Sequence, residues 1–194
     1  MSSRLVSCVQ PAVAAAIFGL FLSVSAVAQT QHADLFTPEP RDDRPIAAAV
    51  DRDTVAYSGR EQPGTIVVST GERHLYLVLG GGQALRYRVG VGRPGFEWSG
   101  IHRVSSKREW PDWTPPAQMI ARRPDLPRHM AGGEANPLGA RAIYIGGTLY
   151  RIHGSNEPDT IGHAVSSGCI RMTNNDVIDL YQRVKVGARV VVAR

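Results

Sequence analysis

Three β-rich runs follow one another between residues 65 and 92: TIVVST, HLYLVL and ALRYRVGVG, parted by the turn signals Gly71-Glu72 and Gly80-Gly81-Gly82. Short runs rich in Val, Leu and Tyr and bounded by glycine build strands. In the third run Leu85, Tyr87 and Val89 alternate with Arg86 and Arg88. That period of two puts one strand face into a core and the other into water. The three runs predict a meander, an antiparallel sheet with one wet face. No repeat of 20–50 residues marks a solenoid or propeller.

Further along, RAIYIGGTLYRIHG reads as two short strands around a Gly146-Gly147 turn and delivers His153 to a strand end. The stretch 91–138 between these blocks is dense in Pro, Gly and Trp and reads as one long packed loop, with Trp98, Trp110 and Trp113 either holding it against the sheet or stacking on a substrate. Near the C-terminus Thr173 or Asn174 can cap a helix whose apolar positions are Val177, Leu180, Tyr181 and Val184. Gly187 is expected to end it, and ARVVVA to return as a last strand.

The N-terminal third reads differently. Arg4 precedes an apolar run over 12–24, and Ala26-Val27-Ala28 supplies small residues for cleavage, so residues 1–28 are expected to be a secretory signal and the protein to be exported to the periplasm. Nothing later is apolar for long enough to span a bilayer. Residues 29–62 mix proline with charge and show no period, which predicts a mobile leader, with Tyr57 docking on the domain edge and a short helix starting at Pro45. Residues 63–194 then form a single domain. That domain carries 17 basic against 10 acidic residues, whereas 29–62 carries 4 against 7. A basic exported domain suits a carboxylate-rich partner, and export argues against nucleic acid.

Once the signal with Cys8 is gone, Cys169 is the only cysteine, and a lone thiol in an oxidising compartment is either a buried small hydrophobe or chemically needed. Its surroundings, HAVSSGCIRM over 163–172, favour chemistry. A cysteine nucleophile needs a base. His153 ends a strand, and the glycine-bearing loop after it can fold back to bring its imidazole against Cys169. His163 lies inside that loop, less constrained, and ranks second. Gly168 permits a tight turn that leaves the N–H groups of Gly168 and Cys169 facing an oxyanion. Ser166 and Ser167 either stabilise the turn or touch substrate. Arg171 either receives a substrate carboxylate, stabilises the thiolate or buttresses the loop.

The segments HGSNEP and IGHAVSSGCIRMTNNDVIDLY resemble the L,D-transpeptidase catalytic domain of the YkuD type, and WTPP, NPLGARAIY and LYLVL follow in that family's order. The resemblance implies a mostly β, sandwich-like catalytic domain over 63–194 with a short helix after the cysteine. It implies Cys169 as nucleophile, His153 as general base, and Gly168 with Cys169 as backbone oxyanion donors; Arg171, Ser166 and Ser167 remain candidates for the substrate side. Many members carry histidine where this chain has Ser167, a difference confined to the loop's fine tuning. The implied substrate is the peptidoglycan stem peptide. Cys169 would attack the carbonyl of the third residue, diaminopimelate, and expel D-alanine. The acyl group would pass to a second diaminopimelate amine, to a protein lysine such as that of an outer-membrane protein, or to water. No cofactor or metal is implied.

Three other readings compete: a non-catalytic wall-binding module, a zinc site from His153, His163 and Cys169, and a sortase-like transpeptidase. The first would tolerate loss of the nucleophile or base, yet both are present. The second lacks a paired ligand spacing. The third has unlike flanking runs.

Overall fold

The structure, a computed structural model, describes residues 52–194. The expected signal segment, the first part of the leader and the helix at Pro45 lie outside the described residues. The meander forms as read, with β2 (Ile66–Ser69), β3 (His74–Gly80) and β4 (Gln83–Arg88) pairing antiparallel in sequence. In front of it, β1 (Arg52–Ala56) adds to the free edge of β4. Part of the expected leader is therefore a strand: Thr54 and Val55 suit an extended chain, and Asp53 pairs with Arg86 across the two strands at 3.0 Å. Tyr57 docks beyond it, donating its backbone N–H to Gly82 and its hydroxyl to Glu61.

The largest departure from the sequence reading lies in 91–138. That stretch holds the longest strand described, β6 (Gly100–Glu109), after the two-residue β5 (Val91–Gly92) and before a one-and-a-half-turn helix α1 (Ala117–Arg122). β6 carries two arginines, two serines and a lysine, and only Val104 in it is buried, so no apolar alternation betrays it. What holds it is pairing on both edges. Its first half meets the last strand, β11 (Arg189–Ala193), and its second half meets β7 (Arg141–Ile145), with a register break between Val104 and Ser106. A strand that pairs one way, breaks register and pairs the other way turns a sheet's corner.

The strands β7, β8 (Arg151–His153) and β10 (Ile170–Arg171) complete the order β1-β4-β3-β2-β11-β6-β7-β8-β10, and β5 pairs separately with β9 (Ala164–Ser166). The sheet is mixed, because β11 runs parallel to β2 and β10 parallel to β8. The β8–β10 pair is joined by the connection over 154–169, whereas β2 and β11 come together from opposite ends of the domain. Ile66, Val68, Leu75 and Tyr87 from the meander share one apolar core with Ile143, Ile152 and Ile170 from the other half.

The helix α2 (Asn174–Arg183) starts where expected, Thr173 Oγ1 accepting from the Asp176 N–H at 3.1 Å. It buries Val177 and Leu180 in that core and stops at Arg183, four residues before Gly187. Gly187 instead makes the turn into β11 at φ +89°. The buried Tyr87 hydroxyl donates to Asp179 at 2.7 Å, which ties the helix to the meander.

Candidate active site

Two short parallel strands assemble the chemistry. β8 ends on His153, and β10 begins immediately after Cys169. Their register pairs Ile170 with Ile152 and Arg171 with His153. Side chains alternate faces along a strand. Ile152 and Ile170, both fully buried, point into the core. His153 and Arg171 therefore point the other way, and so does Cys169, one step outside the strand. The expected nucleophile and base are diagonal neighbours on one face. The Cys169 thiol is free and half-buried.

His153 is 4% exposed, and its Nδ1 lies 2.6 Å from the Gly154 carbonyl oxygen. A carbonyl only accepts, so Nδ1 carries the proton and Nε2 is left as an acceptor. Burial pushes the imidazole down to about 3, the Gly154 bond opposing this and the charges of Arg171 and Arg151 adding to it. The ring is neutral near pH 7 and can take a proton. Gly154 is fixed in turn, its N–H donating to the Arg141 carbonyl at 3.0 Å. A Cβ on Gly154 would overlap Asn174 Oδ1, the atom that accepts from the Ala140 N–H at 2.9 Å. The helix start thus lies against the residue whose carbonyl sets the histidine's tautomer.

The loop before Cys169 is bound up more tightly than the sequence suggested. Ser166, 3% exposed, donates its hydroxyl to the Cys169 carbonyl at 2.6 Å and accepts from the Gly168 N–H at 3.0 Å. Gly168, expected to offer its N–H to an oxyanion, has that N–H on the Ser166 hydroxyl in this structure. Only the Cys169 N–H of that pair has no acceptor among the described residues. Its direction is set from the far side: Trp98 Nε1 donates to the Gly168 carbonyl at 2.7 Å. The C=O and N–H of a trans peptide point oppositely in one plane. Holding that carbonyl aims the Cys169 N–H. Trp98 is itself stacked on Tyr150, centroids 4.6 Å apart. The Tyr150 ring occupies the space a Gly168 side chain would need, and Gly168 sits at φ +107°.

The remaining expected site residues divide. Ser167 Oγ accepts from Arg93 Nη1 at 3.1 Å, and Arg93 also donates its backbone N–H to the Ser166 carbonyl. Arg171 Nη1 pairs with Glu157 at 2.7 Å and reaches Thr160 Oγ1 at 3.3 Å, so of its three readings the buttress is the one its contacts match. Ser166, Ser167 and Arg171 are all engaged within the protein, contacts that match the turn-stabilising and buttressing readings. His163 is exposed, its backbone bonded to Val91 and Thr160. Among the described residues no three metal-ligating side chains gather, and no helix is long and apolar enough to cross a membrane. Sequence reasoning missed Trp98 and Tyr150 as parts of this site. The tryptophan was visible only as one of three in a loop.

Comparison with known proteins follows the same lines. Residues 63–192 match the family described as the L,D-transpeptidase catalytic domain. The probable L,D-transpeptidase ErfK/SrfK of Escherichia coli (strain K12) is 39% identical over 134 residues, 64% of this chain and 42% of that protein. The probable L,D-transpeptidase YbiS of the same strain is 37% identical, over 64% of this chain and 43% of its own length. The matched region is less than half of each of these relatives. An L,D-transpeptidase structure from Mycobacterium smegmatis shares the fold, with a TM-score of 0.55 at 17% identity over 67% of this chain and 58% of that one. A Brucella melitensis structure described as a probable carnitine operon oxidoreductase is 46% identical, with a TM-score of 0.50 over 73% of this chain and 92% of that one. Its description names another chemistry from that of the family and of the two Escherichia coli relatives.

Proposed function

The chain belongs to the family of L,D-transpeptidase catalytic domains, and on that premise we propose that it transfers acyl groups of peptidoglycan stem peptides through a thioester on Cys169. The observation that carries the reading is the parallel β8–β10 pair, which sets Cys169 beside a neutral imidazole whose tautomer is fixed by Gly154.

His153 Nε2 takes the thiol proton as Sγ bonds to the carbonyl carbon of the third stem residue. The carbonyl π pair moves onto oxygen, where the Cys169 N–H receives it. Collapse re-forms the carbonyl and breaks the bond to D-alanine, whose amine leaves with the proton from His153. An acceptor amine then gives its proton to His153 and attacks the thioester. The C–S bond breaks and the thiol regains its proton. Neither oxidant nor net charge is consumed. A neutral base next to a thiol fits proton transfer concerted with attack.

Purified protein and its Cys169→Ala variant, each incubated with disaccharide-tetrapeptides and read by mass spectrometry, test this. D-Alanine release with dimer formation by the wild type alone is the expected result. Activity retained by the variant overturns the mechanism. Tripeptide without dimers is the second reading, an L,D-carboxypeptidase, or a transferase whose acceptor is a protein such as one of the outer membrane. The periplasm is the compartment this substrate requires, which the signal-like residues 1–28 supply.

A further inference from the structure

One charge beside Cys169 has no counter-ion among the described residues. Arg151 opens β8, two residues before His153, so it lies on the same face as the base. One step back along the register from the Ile170–Ile152 pair sets Cys169 beside it. On the other side it is paired with Tyr144 of β7, and its guanidinium carbon lies 5.4 Å from that ring's centroid. Tyr144, Arg151 and Cys169 thus form one row across three strands.

Arg52, Arg86, Arg123, Arg141, Arg171 and Arg183 pair with carboxylates. Arg151 does not. Its Nε is buried and lacks an acceptor. A buried donor left without a partner is a rare and costly state, and such groups mark places where a ligand supplies what the protein withholds. The stack on Tyr144 holds the plane of the guanidinium while using none of its N–H groups. Arg171, on the same face, is the contrast: Glu157 has already taken it.

We propose that Arg151 receives a carboxylate of the donor peptide flanking the scissile bond, and so selects an acidic stem over an amidated one. The proposal rests on the transpeptidase reading above. A guanidinium closes on a carboxylate with two parallel N–H···O bonds, for which an ammonium or an amide is a poor replacement. With the carboxylate anchored one residue from the reacting carbonyl, the peptide is oriented across Cys169 before attack.

The test is a matrix of wild type, Arg151→Gln and Arg151→Lys against three tetrapeptide donors: the free acid, the D-alanine amide, and the diaminopimelate side-chain amide. Thermal unfolding of each variant is run alongside. The wild type is expected to prefer the free acid over one of the amides by about tenfold or more in kcat/KM, the value of a charge-assisted pair. Arg151→Gln should lose that preference through KM, and Arg151→Lys should keep part of it. The amide that suffers identifies the carboxylate. A variant that keeps the wild-type preference, or loses rate equally on all three donors, overturns the proposal and leaves Arg151 a structural partner of Tyr144. A wild type that turns over none of the three overturns the transpeptidase reading instead.

Discussion

Replacing Trp98 by phenylalanine keeps an aromatic ring against Tyr150 and removes one N–H, the donor that holds the Gly168 carbonyl at 2.7 Å. In stability the loss is that of one hydrogen bond, about 1 kcal/mol, which lowers the unfolding temperature by roughly 2–4 °C in a chain of this size. The effect on rate works through the peptide plane. A removed oxyanion donor costs about 10²–10³ in kcat, so a donor that remains but is no longer aimed should cost about tenfold. The assay is the initial rate of D-alanine release against donor concentration, beside the rate at which iodoacetamide alkylates Cys169. Alkylation uses the thiol and His153 but develops no oxyanion. We expect kcat to fall about tenfold while KM and alkylation stay within about twofold. An unchanged kcat in a folded variant refutes the argument. So does alkylation that falls in step with kcat, which would place the effect on the thiol.

Three further outcomes follow from the same geometry. Because burial lowers the His153 pKa from 6.5 to about 3, the unfolded chain binds a proton that the folded chain refuses. Stability is then full above about pH 6.5 and falls as pH drops toward 3, a slope that urea titrations should find flattened in His153→Gln. Gly168→Ala places a methyl group in the Tyr150 ring at φ +107° and should abolish D-alanine release in a protein whose circular dichroism stays folded. Arg171→Gln leaves Glu157 unpaired at the surface; with that carboxylate 58% exposed the loss should be at most about 1 kcal/mol, and KM should move less than in Arg151→Gln, as steady-state kinetics would report.

How far the sequence could be read depended on whether a residue acts through its neighbours along the chain or across it. The meander announces itself, since Leu85 and Tyr87 alternate with arginines and a glycine turn stands at each end. Cys169 and His153 are legible because a thiol without a partner and a histidine closing a strand are chemical oddities wherever they lie. β6 is not legible, for its stability comes from pairing with β7 and β11, segments that both lie more than 30 residues later in the chain. The same holds for the site's supports. Ser166 spends the Gly168 N–H locally, yet the reach of a serine hydroxyl to a backbone two residues on is equally compatible with a free loop. Trp98 lies 70 residues before the carbonyl it holds.

Arg171 and Arg151 make the same point in opposite directions. Arg171 lies next to the nucleophile motif and looks like the substrate's arginine, until Glu157 is found 2.7 Å from it. Arg151 lies in a strand whose pattern, RIH, says only that the chain is extended. Charge near a nucleophile becomes a binding site only when the fold leaves it unpaired, and pairing is decided by which strands run side by side. In this chain that decision is made by two residues of β10, whose parallel register on β8 sets Cys169 beside Arg151 and diagonal to His153.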